Sequence, residues 1–352
     1  MDKAFSLVSL CLSLCLFFCA LFGLAPERLS EEDRAPRASA SESLDGWLCG
    51  RLPLRCALLR FNRDAELLLG KNEYGGAFFG RGGVLFSEEV ACAETLSENL
   101  RAISAFEARS ALPVYTLLAG SKLDILTEYT PRFYASEREE LVEIFRQSNL
   151  TKVDVFPALR YAGGIGKYIY YRGDRHLTSL GAYYCYAALG VPLGYTPFGA
   201  SDFSISVVSS AFSGSDARRL LVETKDTIAL YRYRGDSALC VKNFDTGSTH
   251  QGLYFEEMLF GVDKYSVFLG GSAGRLEITG GESRPRLLIV RDSYASAVAP
   301  FLARHFDLDL VDLRYTDLSV QALTEENEYA AVLFLFGIDT LAGSEILCKL
   351  EM

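Results

Sequence analysis

Three side chains of this 352-residue chain have types and positions suited to transferring an acyl group. Ser293 follows the apolar run 287–290, which predicts a buried strand, and it precedes a helix-like segment that starts at Tyr294. A serine on such a turn can cap the helix by accepting a backbone N–H. It can also be a nucleophile, because open α/β sheets place their sites beyond the carboxyl ends of parallel strands. This stretch alone leaves both roles open.

The other two side chains are an acid and a base that stand two positions apart. Asp174 and His176 lie in a segment that we predict to be extended, so that both side chains face the same way. A carboxylate beside an imidazole can hold one ring N–H and leave the other nitrogen free as a base. An Asp-x-His pair also fits a metal pair or simple surface polarity. Together with Ser293, however, it supplies every part of a Ser–His–Asp triad.

The remaining histidines have less to offer. His250 lies in a Gly/Ser/Thr loop, and His305 comes late in the segment after Ser293, where we expect a cation that caps the helix.

The segments that must position these residues alternate between two patterns. Short apolar runs predict strands, and charged amphipathic runs predict helices. We predict strands at residues 114–118, 152–156, 168–171, 287–290, 308–313 and 331–336, and helices at 134–147, 177–189 and 317–326. This alternation predicts an α/β fold with a doubly wound, mostly parallel sheet. Alternating runs broken by Gly, Asp and Ser predict a hairpin at 77–86 and an antiparallel β insert at 194–282.

The amino-terminal residues predict a membrane segment. Residues 4–25 carry no charge and are long enough to span a bilayer. A cleaved signal peptide is the alternative, but Pro26 follows the small residues directly and should block cleavage. We therefore expect 1–25 to be a retained transmembrane helix, 26–43 a charged linker, and 44–352 one domain that contains the insert.

Composition excludes several classes of protein. The 49% of hydrophobic residues, with 23 Phe and 19 Tyr, excludes disorder for most of the chain. A net charge of −10 argues against a nucleic-acid partner and against docking on anionic lipid. None of the nine cysteines forms a Cys-x-x-Cys pair, so a zinc site has no support. We expect neither a metal nor a cofactor.

Several blocks of sequence resemble one bacterial family. Residues 170–186, YYRGDRHLTSLGAYYCY, resemble the signature of the DHHW family, an Asp-His-His-Trp run followed by a Thr-x-x-Gly-Ala-Tyr-Tyr helix. Further blocks resemble the family in the same order, at 264–271 (KYSVFLGG), 287–295 (LLIVRDSYA), 298–301 (VAPF) and 311–315 (VDLRY). Arg175 and Leu177 replace the second His and the Trp, and Ser272 stands where the family usually has Asn.

The family is similar to the SGNH-hydrolase-like domains of alginate O-acetyltransferases. The resemblance implies an SGNH-hydrolase-like fold in which Ser293 is the nucleophile, His176 the general base and Asp174 its orienting acid. It also implies that Gly271 and Ser272 lie at the oxyanion or substrate site, together with the N–H of Ser293.

The resemblance further implies an extracytoplasmic protein, held at the cell membrane, that acts on glycans. It would be a serine esterase or O-acetyltransferase working on cell-surface or exported polysaccharide, or on a peptidoglycan-type glycan. A membrane protein would then have to supply the acetyl group. The alternative is a non-catalytic glycan-binding or assembly module on a decayed scaffold. That alternative is favoured by Leu177, which lacks an aromatic face for a sugar, and by Ser272.

Other polar residues at predicted strand ends have structural interpretations. An acid at Asp339 would repel an oxyanion, so we expect a structural role there. For Arg314 and Tyr315 an ion pair with Asp312 or Asp317 is favoured over contact with substrate.

Overall fold

The computed structural model describes residues 55–87, 91–130, 138–280 and 284–351. The chain divides into two compact units, Met1–Tyr74 and Gly75–Met352. The predicted membrane segment and linker, residues 1–43, lie outside the described residues. Within the described ranges, no helix combines the length and the apolar character that crossing a bilayer requires.

The helices and strands are numbered here in chain order. The first unit contains helix α1 (Arg55–Leu68) and strand β1 (Glu73–Tyr74). The strands of the second unit are β2 (Ala77–Phe79), β3 (Leu85–Ser87), β4 (Val114–Ala119), β5 (Ser204–Phe212), β6 (Asp226–Arg232), β7 (Cys240–Asn243), β8 (Thr249–Gln251), β9 (Arg275–Thr279), β10 (Arg286–Arg291), β11 (Asp307–Val311) and β12 (Ala331–Gly337). Its α-helices are α2 (Ala93–Arg109), α3 (Lys122–Ile125), α4 (Arg138–Gln147), α5 (Phe156–Gly164), α6 (Ser179–Leu189), α7 (Ser215–Arg219), α8 (Ala295–Leu302), α9 (Val320–Glu326) and α10 (Ile338–Gly343).

The second unit has a mixed α/β fold built on a seven-stranded sheet in the order β4-β12-β10-β11-β9-β7-β8. The first four strands in that order are parallel, and the last three are antiparallel. Every residue of β12 is buried, as expected for a strand covered on both faces. Helix α2 supplies part of that cover, since Phe106 packs edge-on against Phe334 with ring centroids 5.5 Å apart.

The parallel strands reverse their direction of winding at β10. From β10 the chain passes through α8 to β11 on one side, and then through α9 to β12 on the other side. Because such crossovers are almost always right-handed, they place α8 and α9 on opposite faces of the sheet. The carboxyl end of β10 is therefore a topological switch point, where open α/β sheets bind ligands.

The predicted insert divides between two sheets. Strands β5 and β6 form a separate antiparallel pair, whereas β7, β8 and β9 continue the main sheet beyond β11. The predicted hairpin at 77–86 is present as the antiparallel pair β2–β3.

Two predicted strands are wrong, and a local hydrogen bond explains the first. Residues 152–156 form a single bridge, Thr116 to Lys152, because the Asp154 carboxylate accepts the Phe156 N–H and Phe156 already begins helix α5. Residues 168–171 likewise form one bridge, Tyr170 to Leu177, which closes a loop.

Candidate active site

Ser293 lies on the turn that joins β10 to α8, at the switch point of the sheet, and is half-buried. Its hydroxyl does not cap the helix; it is hydrogen-bonded to His176. The preceding Asp292 is fully buried and accepts hydrogen bonds from the Tyr294 N–H (2.9 Å), the Gly337 N–H (2.9 Å) and the Thr340 hydroxyl (2.6 Å). These bonds tie the serine turn to the end of β12 and the start of α10. No role had been predicted for Asp292 from its position in the sequence.

The three residues of the expected triad form one continuous relay. The Nε2 atom of His176 lies 2.9 Å from the Oγ atom of Ser293, and its Nδ1 atom lies 2.5 Å from an oxygen of Asp174. An ionised carboxylate can only accept, so Nδ1 carries the proton and Nε2 presents its lone pair to the serine hydroxyl. The predicted approach of Ser293 to His176 is therefore observed.

Asp174 is buried but well supplied with donors. Its carboxylate accepts the ring N–H and the backbone N–H of His176 (2.9 Å for the backbone) and the backbone N–H of Ser215 (2.8 Å). Burial raises the pKa of this carboxyl, but the electrostatic attraction of the adjacent His176 ring and these hydrogen bonds outweigh burial and hold the pKa well below its ordinary value. Asp174 is therefore ionised at neutral pH and can orient the imidazole.

A glycine allows the donor segment to come so close to Asp174. A Cβ atom built on Gly214 would lie 2.1 Å from the Cβ atom of Asp174, far inside van der Waals contact. Gly214 immediately precedes α7, whose first residue is Ser215, the donor to Asp174. The sequence pattern of the predicted insert did not distinguish Gly214 from the other glycines there.

Two buried tyrosines enclose the imidazole. The ring of Tyr265 stacks on His176 with centroids 4.0 Å apart and planes inclined by 10°, and the ring of Tyr294 lies 5.6 Å away. The Tyr265 hydroxyl donates to the Ser293 carbonyl (3.2 Å), and the Tyr294 hydroxyl donates to the Arg175 carbonyl (3.1 Å). Burial raises the pKa of both phenols well above the ordinary value, so they stay protonated donors. Neither was predicted to belong to the site.

The segment of residues 269–273 contains the predicted oxyanion residues. Leu269, Gly270 and Gly271 have φ angles of 64°, 80° and 98°, and left-handed backbone at a leucine costs about 1–3 kcal/mol. Among the described residues, no acceptor takes the backbone N–H of Gly271, Ser272 or Ser293. Free N–H groups of this kind are what an oxyanion needs. The oxyanion role of Gly271 and Ser272 remains a prediction.

The polar residues Asp339 and Arg314, at the ends of predicted strands, form ion pairs. Asp339 pairs with Arg138, and Arg314 donates twice to the fully buried Asp312, at 2.9 and 2.7 Å. Leu177 is fully buried, so this position offers no surface to a sugar, and the expectation of a lost stacking platform there is wrong.

The expected cationic cap at His305 is also wrong. The His305 ring accepts from or donates to the Tyr186 hydroxyl (2.8 Å) and stacks on Tyr195, with centroids 4.3 Å apart. Burial, followed by the nearby charges of Arg304 and Arg284, lowers its pKa to about 4. His305 is therefore neutral at pH 7 and packs as an aromatic residue.

The fold of this chain is similar to those of several solved structures. A DHHW family protein from Eubacterium siraeum superposes with a TM-score of 0.67 at 21% identity, covering 79% of this chain and 95% of that one. PatB1 from Bacillus cereus, solved alone and with a sulfonyl adduct, superposes with a TM-score of 0.60 at 19% and 18% identity, covering 75% of this chain and 97% of that one. At such identities the likeness concerns the fold.

The family assignment comes from the sequence. None of the curated proteins is similar enough to match. The family model described as DHHW protein, however, matches residues 108–311, more than half of the chain, and includes Asp174, His176 and Ser293. The chain belongs to the DHHW protein family.

Proposed function

We propose that this protein is an SGNH-hydrolase-like serine esterase or O-acetyltransferase that acts on cell-surface or exported polysaccharide. One observation carries the proposal: Asp174, His176 and Ser293 form an unbroken relay with distances of 2.5 and 2.9 Å. A free serine hydroxyl is a weak nucleophile, and an adjacent base that is itself held by a third group activates it.

The relay defines a two-step mechanism. As the Ser293 oxygen attacks an ester carbonyl, His176 Nε2 takes the hydroxyl proton and Asp174 stabilises the resulting imidazolium. The carbonyl oxygen becomes negative and meets the free N–H groups of Ser293 and Gly271. When the tetrahedral intermediate collapses, the leaving alcohol takes the proton from His176 and the acyl group stays on Ser293. Water or a sugar hydroxyl, deprotonated by His176, then attacks the acyl carbon, and His176 returns the proton to the Ser293 oxygen as its bond to the acyl group breaks.

The surroundings of the relay support this proposal. The serine stands at the switch point of the sheet, where a substrate can reach it, and the two tyrosines fix the base. The similarly folded PatB1 has been solved with a sulfonyl adduct, which makes sulfonyl fluorides a reasonable first probe for this chain.

The proposal also includes a class of substrate and a location for the protein. The family resemblance favours a polysaccharide or peptidoglycan-type glycan, with an acetyl group handed over by a membrane protein. The uncharged residues 4–25 favour a retained anchor with the body outside the cytoplasm. Protease added to intact cells should then remove the body, whereas a free mature protein starting near residue 26 or 41 would contradict the anchor.

A non-catalytic glycan-binding module is the second candidate. It is favoured by Ser272, an exposed residue where the family usually has Asn. If that Asn donates to the oxyanion, its loss could cost about 10²–10³ in rate, because one oxyanion donor is worth that much.

Labelling with an activity-based probe separates the two candidates. The purified full-length chain is incubated with a fluorophosphonate or sulfonyl fluoride, with Ser293→Ala as the matched control, and the modified residue is identified by mass spectrometry. Labelling of Ser293 that the control abolishes supports the enzyme. A folded protein that never labels but binds polysaccharide would overturn the catalytic proposal.

A further inference from the structure

Arg291 is a fully buried cation at the end of the strand that leads to the serine turn. Its side chain is 1% exposed. One terminal nitrogen donates to the Ser296 hydroxyl at 3.3 Å and the other to the Ala273 carbonyl at 3.4 Å, both long for hydrogen bonds. Its Nε atom is buried without a partner in the described part of the chain. This is a poorly compensated burial of charge, which a protein interior normally avoids.

The charges around Arg291 come from the ends of two neighbouring strands. Asp312 and Asp292 attract the guanidinium, whereas Arg314 repels it. Asp312 is already bound to Arg314 by two hydrogen bonds, and in the described part of the chain no ion pair joins Arg291 to a carboxylate. Burial still lowers the pKa of Arg291 below its ordinary value.

The two long hydrogen bonds of Arg291 link two segments of the candidate site. Ser296 lies in the first turn of α8, and Ala273 ends the 269–273 segment. This segment has three successive residues with positive φ, a conformation that costs free energy at Leu269, so contacts with neighbouring residues must hold the segment in this shape. Its free N–H groups, on Gly271 and Ser272, come two residues and one residue before Ala273, whose carbonyl accepts from Arg291.

We propose that Arg291 is a positioning residue, which fixes the Ala273 carbonyl so that the preceding N–H groups stay directed at the reacting oxygen. The proposal rests on the proposed esterase or acetyltransferase function. A buried arginine with weak hydrogen bonds lowers the stability of the folded protein. Proteins often retain such destabilising groups at functional sites.

Three variants of the full-length chain test this role. Arg291→Met removes the charge, Arg291→Lys keeps it, and Arg286→Met is the matched control. Arg286 lies at the opposite end of β10, where it pairs with Glu277 at 2.9 Å. Each variant is compared with the parent for kcat and KM on a small acetyl ester, for melting temperature, and for amide hydrogen exchange of peptides that cover residues 269–273.

Arg291→Met should lower kcat by about 10–100-fold and leave KM nearly unchanged, because a displaced oxyanion donor acts on the transition state. Its melting temperature should stay the same or rise, because a buried charge without a close partner has been removed. Peptides over 269–273 should exchange faster, while peptides over 214–218 keep the parental rate. Arg291→Lys should recover part of kcat, and Arg286→Met should keep all of it.

The outcomes separate this proposal from the proposed function. An active parent whose Arg291→Met variant keeps full kcat overturns the role of Arg291 and leaves the enzyme standing. A loss of kcat that only follows a loss of folded protein does the same. If the parent neither labels nor hydrolyses esters, the proposed function fails, and so does the role of Arg291 in catalysis. In that case hydrogen exchange tests only whether Arg291 holds residues 269–273 in place. If exchange in Arg291→Met equals that of the parent, this structural role is overturned as well.

Discussion

The imidazole of His176 lies almost flat on the phenol ring of Tyr265, with centroids 4.0 Å apart, while the Tyr265 hydroxyl donates to the backbone carbonyl of Ser293. One side chain thus contacts both the base and the residue that carries the hydroxyl. Their relative position is set by a third residue from a separate segment of the chain, in addition to their own hydrogen bond.

This arrangement predicts different outcomes for two substitutions of Tyr265. Tyr265→Phe keeps the stacked ring, so kcat should fall only a few-fold. Tyr265→Leu removes the stack, which is worth about 0.5–1.5 kcal/mol, so kcat should fall by about tenfold. Steady-state kinetics on an acetyl ester measures both, and equal rates for the two variants would show that the stack does not orient the base.

The relay itself predicts non-additive losses. Ser293→Ala and His176→Ala should each lower kcat by at least about 10³-fold, and the double variant should be no slower, because both changes stop the same step. Asp174→Asn should keep more activity but still lose orders of magnitude, since the wrong imidazole tautomer is favoured. Ester hydrolysis and thermal melting are measured together. Full activity in a normally folded His176→Ala protein would remove His176 from the mechanism.

Gly214 offers a test of how the acid is held. In Gly214→Ala the new methyl group would lie 2.1 Å from the Asp174 Cβ atom, so the segment before α7 must move and the Ser215 N–H must leave the carboxylate. We expect a loss of both activity and melting temperature. Gly164→Ala is the control, because a Cβ atom there meets nothing within 4 Å. A Gly214→Ala protein as active and stable as the control would contradict the contact.

The lowered pKa of His305 predicts a dependence of stability on pH. The folded protein binds the His305 proton only near pH 4, whereas the unfolded chain binds it near the ordinary value of 6.5. Between these values the unfolded state holds more protons, so the stability contributed by neutral His305 is complete above about 6.5 and is lost progressively as the pH falls toward 4. Urea unfolding at several pH values measures this, and His305→Phe should flatten the slope in that window. An unchanged slope would assign the acid sensitivity elsewhere.

Local sequence patterns predicted the parallel strands and the residues of the candidate triad. The apolar runs at 114–118, 287–290, 308–313 and 331–336 are parallel strands of one sheet, and a serine at the end of one of them meets the Asp-x-His pair. Local pattern was a poor guide where a short polar signal competes, as at Asp154, which starts a helix inside a predicted strand.

The supporting residues were invisible for a different reason. Asp292 is bound by groups 45 and 48 positions further along the chain, and Gly214 is required by a carboxylate 40 positions earlier. Periodicity and spacing report on neighbours in sequence, and a buried carboxylate or a close backbone approach depends on neighbours in space. Only the folded sheet brings these partners together.

The bonds from Asp292 to Gly337 and Thr340 also set an order of events during synthesis. The chain emerges from its amino end, so the acid and the base are made first and the serine follows 117 residues after the histidine. The turn that carries the serine lacks two of the hydrogen bonds to Asp292 until residues 337–340 have been added. A nascent or prematurely terminated chain therefore contains all three side chains of the proposed triad without holding them in place, and we expect any activity to arise only after β12 has been added.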